Sequence, residues 1–263
     1  MIDNASAPVI SIITVTLNNG PGLERTIQSV KCQTFKSYEH IIIDGGSKDE
    51  TLAIINKYSD SIALWISEPD DGIYDAMNKG MSMAKGKYLN FLNAGDTYLD
   101  KLTLEKLFAA KNSEEYDIIY GNIIVLENRN DGSYLQKARS FNKLQLLKYG
   151  TGVLCHQAMF VKRSIAPGYD KSWRFKAELN WYFDIVDSTP DLKTLHIDIP
   201  VVYYSLGGYG QVHFWTNQVE WFNIVIKRYG WIQIIQYSLP LKLLLKLPYR
   251  YKWIRKFLRS TEA

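Results

Sequence analysis

Tyr88-Leu-Asn-Phe-Leu-Asn-Ala-Gly-Asp-Thr97 decides the fold: residues 88 to 92 run almost unbroken in apolar character straight into a polar turn. A segment that short and apolar suits a strand buried on both faces, as strands of parallel α/β sheets are. Asn93, Gly95 and Asp96 then fall just beyond its carboxyl end. That edge is where open α/β sheets take their ligands, and Asp96 is the first candidate functional residue.

Working outward toward the N-terminus, the same unit recurs. Val9 to Thr16 is a β-branched run, followed by the turn residues Asn18-Asn-Gly-Pro-Gly22 and an amphipathic segment from Leu23 to Gln33. Tyr38 to Asp44 repeats the strand, and Gly45 to Glu50 opens the next helix, with Ser47 and Glu50 at capping-box spacing. Ile62 to Ile66 is a third strand, the loop Ser67 to Gly72 follows, and a helix spans Ile73 to Ala84. Strands that alternate with helices require a mainly parallel central sheet, so the expected class is α/β.

Toward the C-terminus the pattern loosens. Asp100 can cap a helix through Ala110, and Asn130-Asp-Gly132 is a hairpin turn between Asp117 to Leu126 and Ser133 to Arg139. A short helix over Leu144 to Lys148, a strand from His156 to Lys162 and a helix over Glu178 to Val186 follow. Strands Thr194 to Ile197 and Val201 to Tyr204 are expected on either side of Pro200. The predicted division is one α/β unit over residues 1–210, in halves 1–100 and 101–210, with an amphipathic, basic helical extension over 211–263.

Composition excludes several classes. The net charge of +4 is mild, and much of the excess lies after position 240, which implies a local basic surface and no nucleic-acid partner. Cys32 and Cys155 have no metal-type spacing and read as reduced thiols. Met1 to Pro8 lacks the basic start and apolar run of a signal peptide, so a cytoplasmic location is expected. No apolar run is long enough to span a bilayer, whereas Leu239 to Leu258 mixes apolar and basic residues in the manner of a segment that lies on an anionic membrane surface. A basic helix packed on the main unit is the equal alternative.

The successive strand ends offer Asn18, then Asp44 with Gly45, then Glu68, Asp70 and Asp71, then Asn93 and Asp96. Any one of these fits an ordinary turn. Together, acids gathered at one crevice call for a cation or donors, which points to Mn2+ or Mg2+ with a phosphate-bearing ligand. There is no G-x-G-x-x-G after the first strand, no G-x-x-x-x-G-K-[ST] and no G-x-S-x-G, so dinucleotide, P-loop and simple hydrolase chemistry lack their required residues.

Four motifs resemble the family 2 glycosyltransferases, whose fold is called GT-A: Ile12 to Asn18, Ser29 to Phe35, Ile43 to Thr51, and Ser67 to Gly80 with Asn93 to Asp96. The last pair is most similar to bacterial members that build O-antigen, capsule, lipopolysaccharide or exopolysaccharide. The resemblance implies a nucleotide-sugar-binding first half and an acceptor-binding second half. It implies an inverting hexosyl transfer from a UDP-sugar to a polyprenyl-diphosphate-linked saccharide at the inner face of the cytoplasmic membrane. Asp44 would hydrogen-bond the donor base, with Thr14, Thr16, Asn18 and Gly45 around it, and Asp71, Asn78 and Lys79 would border the sugar and phosphates. Asn93 and Asp96 replace the usual D-x-D, which leaves Asp96 as metal ligand with His213 as a further candidate. Glu178 stands at the position of the catalytic base and Asp184 is its reserve, while His156, Gln157, Trp181 and Tyr209 would line the acceptor pocket. Leu17 stands where the family often has Tyr, so base stacking must come from elsewhere. A non-catalytic nucleotide-sugar or glycan-binding protein of the same fold is the rival.

Overall fold

The computed structural model describes residues 7–109, 113–127, 132–205 and 214–238. Its first half is the expected alternation. Strand β1 (Ile10–Thr16) leads to helix α1 (Gly20–Lys31), β2 (Tyr38–Asp44) to α2 (Thr51–Lys57), and β3 (Leu64–Ser67) to α3 (Ile73–Met83), which returns to β4 (Tyr88–Phe91). β1 is buried at every position and pairs in parallel with β2 and β4, and β2 pairs in parallel with β3. Crossover helices cover both faces of such strands, which is why β1 and β4 carry no charged residue.

The second half adds β5 (Thr97–Tyr98), α4 (Thr103–Phe108), β6 (Ile118–Glu127), β7 (Gly132–Gln136), α5 (Lys143–Tyr149), β8 (Met159–Lys162), α6 (Ala177–Ser188), β9 (Thr194–Ser205), α7 (Phe214–Tyr229) and the single turn α8 (Trp231–Gln233). The nine strands described join one sheet of order β3-β2-β1-β4-β8-β6-β9-β5, with β7 hairpinned onto β6. β8 runs antiparallel to both β4 and β6, so it splices the parallel half to a mixed half. One core layer holds Ile13, Met77, Phe91, Trp181 and Tyr182; the opposite layer holds Ile12, Tyr88, Leu104 and Phe160. α3 lies so close on the sheet that a Cβ at Gly80 would come 2.4 Å from Ile13 Cγ2.

Three local expectations are corrected. Ser47 and Glu50 form no capping box: the Ser47 hydroxyl is spent on Asp44, Glu50 makes no side-chain cap, and the amide of Thr51 donates to Asp49 Oδ1. The strands on either side of Pro200 are one strand, β9, whose register with β6 slips around Asn122, opposite Pro200. Proline lacks the ladder donor, and a bulge absorbs that without ending the strand. His156 opens a 3-10 turn, His156–Ala158, and the strand begins only at Met159.

Candidate active site

The carboxyl ends of β1, β2 and β3 meet beside the N-terminus of α3. Around them a cavity of about 660 Å³ is lined by Thr16 and Leu17 from β1's end, Asp70 to Ala76 from the α3 entry, and Lys171, Trp173 and Arg174 from the second half. Thr16 is only 7% exposed, and its hydroxyl has no hydrogen-bond partner among the described residues. A buried hydroxyl without a partner costs stability unless a ligand or water satisfies it. Gly72 enters α3 at φ 106, a conformation open mainly to glycine. Tyr74 and Trp173 bring aromatic side chains to the lining of the same cavity as Leu17.

Asp44 lies under this cavity without lining it. It is fully buried; Oδ1 accepts from the Ser47 hydroxyl at 2.5 Å, and Oδ2 accepts from the Ser47 amide at 3.0 Å and the Ser67 hydroxyl at 2.6 Å. Asn18 sits at φ 49, its amide donating to Ser47 Oγ and its Oδ1 accepting from the Lys48 amide, so it shapes the β1 turn. A Cβ on Gly45 would meet Asp70 Oδ2 at 2.5 Å, which makes Gly45 the floor on which the β3 loop rests.

The second centre lies at the end of β4. Asp96 is 5% exposed; its Oδ1 accepts from the Ser205 amide at 3.0 Å and its Oδ2 from Gln157 Nε2 at 3.1 Å. Burial pushes its carboxyl up to about 6, although those donors and the charge of His156 pull the other way. Gln157 and its neighbour His156 line a smaller hollow of about 160 Å³ with Cys155, Glu178 and Tyr204. His156 Nδ1 lies 2.9 Å from Glu178 Oε1, close enough to pair but off the line of a good hydrogen bond, and Nε2 has no hydrogen-bond partner among the described residues. The Tyr182 hydroxyl donates to the same Oε1 at 2.6 Å. Burial raises the Glu178 carboxyl, but the His156 charge and these contacts outweigh it and hold the group below its usual range. Burial lowers His156, but the charge of Glu178, its contact with that carboxylate and the charge of Asp96 together outweigh this, and the group is raised. Asn93 Oδ1 is another buried atom at this edge without a partner among the described residues. Asp96, Gln157, His156 and Glu178 therefore come together as the sequence suggests.

Asn18, Gly45, Asn93 and Asp96 line neither cavity, and further expected site residues do not reach one either. Thr14 pairs its hydroxyl with His40 Nε2 at 2.9 Å inside the sheet. Asn78 clamps both backbone polar groups of Tyr169 through its amide, and Lys79 holds Glu68, Asp75 and the Pro69 carbonyl. Trp181 is 1% exposed and stacked on Tyr169, its indole N–H spent on the Pro167 carbonyl. Asp184, the reserve base, is bound to Arg228 and Asn180 and lines neither cavity. Tyr209 and His213 lie outside the described residues. Lys171, Trp173 and Arg174 are the residues that sequence reading missed, and no motif in the sequence marks them.

A divalent cation would find one carboxylate here, Asp96, since no cluster of three or more possible metal ligands exists among the described residues. Ions of the Mg2+ type are held by one or two carboxylates together with substrate phosphates, and each Asp96 oxygen, with a single protein donor, keeps a lone pair. The donor set fits an ion shared with a diphosphate and does not fit a site made of protein alone.

Comparison with known proteins agrees with this geometry. The family model for glycosyl transferase family 2 matches residues 11–168. A PGL/p-HBAD biosynthesis glycosyltransferase of Mycobacterium bovis is 34% identical over 209 residues, which cover 76% of this chain and 78% of the relative. Among solved structures, S. aureus TarS 1-349 in complex with UDP-GlcNAc superposes with a TM-score of 0.62 at 15% identity, over 92% of this chain and 77% of that one. Glucosyl-3-phosphoglycerate synthase from Mycobacterium tuberculosis, in complex with Mn2+, UDP and phosphoglyceric acid, superposes with a TM-score of 0.57 at 16% identity, over 85% and 79%. At such identities the two structures establish a shared fold, the GT-A fold.

Proposed function

The chain belongs to glycosyl transferase family 2, and on that premise we propose that it inverts a hexosyl group from a UDP-sugar onto a hydroxyl of a polyprenyl-diphosphate-linked saccharide during assembly of a bacterial surface polysaccharide such as O-antigen, capsule or exopolysaccharide. The observation that carries this reading is the pairing of two hollows along one sheet edge: a large one at the β1 end suited to a nucleotide, and a small one at Glu178 suited to a hydroxyl.

In the large hollow the Thr16 hydroxyl takes a hydrogen bond from, or gives one to, the nucleoside, and Trp173 and Tyr74 offer flat faces to base and sugar. Arg174 and the N-terminus of α3 bring positive potential to the diphosphate, while Lys171 on the same lining is paired with Asp71 and Asp75. In the small hollow Glu178, kept ionised by His156 and Tyr182, removes the acceptor proton as the hydroxyl oxygen bonds to the anomeric carbon. The anomeric bond to the diphosphate breaks on the opposite face, and the nucleoside diphosphate leaves with the electron pair. Asp96 would hold a divalent cation with that diphosphate, and a bound cation supplies charge neutralisation to the leaving group.

A cytoplasmic enzyme resting on the inner membrane face agrees with a lipid-linked acceptor. No described helix is long and apolar enough to cross a membrane, and the basic stretch after Leu239 lies outside the described residues. Incubation with UDP-sugars, Mn2+ and polyprenyl-diphosphate saccharides tests the proposal through nucleotide release. Release that depends on acceptor supports it; binding of UDP with no turnover on any acceptor favours the non-catalytic rival.

A further inference from the structure

We propose that Trp231, Ile232 and Ile235 form a wedge that inserts this protein into the headgroup region of an anionic bilayer. Gly230, at φ 82, ends α7 and redirects the chain. Directly after it Trp231 is 66% exposed, Ile232 74% and Ile235 62%, while Ile234 between them is buried at 4% and fixes the turn to the core. Three large apolar side chains held outward by an inward anchor make a patch that water disfavours. A tryptophan at its head suits the boundary between headgroups and acyl chains, because one end of the indole is apolar and the other wet.

Charge selects the occupant. After Pro240 the sequence holds seven lysines and arginines against one carboxylate, Glu262, so apolar insertion and attraction to anionic headgroups act on adjoining stretches of chain. A neutral protein partner would have no use for that excess. Position supports the same choice. Glu220 of α7 accepts from the amides of Arg174, Phe175 and Lys176, and Lys227 Nζ lies 5.8 Å from the ring centroid of Trp173, which lines the large cavity. The wedge thus follows the helix that borders the cavity mouth, where a membrane would present a lipid-linked acceptor. Only this last point rests on the function proposed above.

The test is sedimentation of the full chain with vesicles of phosphatidylcholine alone and of phosphatidylcholine mixed with phosphatidylglycerol, without nucleotide or acceptor, so its failure leaves the transferase reading untouched. The wild type is expected to bind the mixed vesicles and to bind the neutral ones at least about tenfold more weakly. A Trp231→Gln, Ile232→Gln, Ile235→Gln triple variant, checked for unchanged UDP binding, should lose at least about tenfold of the affinity for mixed vesicles. Equal binding by the triple variant overturns the proposal, as does absence of wild-type binding. A fall in the variant's melting temperature with vesicle binding intact would show that the chain covers its own patch. Loss of a concentration-dependent dimer with vesicle binding intact would assign the patch to a second copy, and either result contradicts the wedge.

Discussion

His156 and Tyr182 both reach the same oxygen of Glu178, Oε1, at 2.9 Å and 2.6 Å, while Oε2 accepts no hydrogen bond from the described residues. One oxygen anchors the carboxylate, and in the proposed mechanism the other takes the proton of the acceptor hydroxyl. Glu178→Gln keeps the shape and loses the base. Transfer should fall by roughly 10² to 10⁴ with UDP affinity unchanged, the range usual for removal of a general base. Steady-state nucleotide release measures it, and wild-type turnover in the variant would remove Glu178 from the mechanism.

Asp184 tells the two helix carboxylates apart. It joins α6 to α7 through Arg228, a contact about one-third exposed, so Asp184→Asn should cost about 1 kcal/mol or less of stability. Its transfer rate should stay near wild type. A loss of turnover as deep as that of Glu178→Gln, in a folded variant, would make Asp184 the base.

Gly80 tests the packing that sets the floor of the site. An added methyl group would press on Ile13 across 2.4 Å and push α3 off β1. Gly80→Ala should lower unfolding free energy by about 1–3 kcal/mol in denaturant titration, because overpacking outweighs the helix propensity gained. An unchanged midpoint would mean that α3 moves freely on the sheet.

His40 gives the fold an acid weakness. Burial lowers its pKa from 6.5 to about 3. As pH falls below about 6.5 the unfolded chain takes up a proton that the folded one refuses, so the stability held at neutral pH is lost progressively down to about pH 3, by up to ~1.4 kcal/mol per unit. His40→Gln, which keeps a partner for the Thr14 hydroxyl, should flatten that slope between about pH 4 and 6. A slope identical to wild type would assign the acid sensitivity elsewhere.

The parallel half was legible because β-branched runs, turn residues and amphipathic stretches repeat in register from Val9 to Phe91. Asp96 was legible from its place beyond the end of β4, and Glu178, His156 and Gln157 were found through a family resemblance; folding brings the four together from the end of β4, the turn before β8 and α6. Trp181, placed in the acceptor pocket through the resemblance, instead packs against Tyr169 and Phe91 in the core. Asn78 and Lys79 misled for a similar reason: their polar groups are consumed in pinning loops. Lys171 was invisible because its partners Asp71 and Asp75 lie 100 and 96 residues earlier, and only the closed fold lays that loop over the β1 end.

Thr16 offers the most direct test, because it lines the large cavity and its buried hydroxyl has no partner among the described residues. Titration calorimetry with UDP should give binding to the wild type. Thr16→Val should bind about three- to tenfold more weakly, as a lost hydrogen bond predicts, with stability unchanged or raised. No heat of UDP binding with the wild type, or equal affinity in the Thr16→Val variant, would contradict a nucleotide seated at the end of β1.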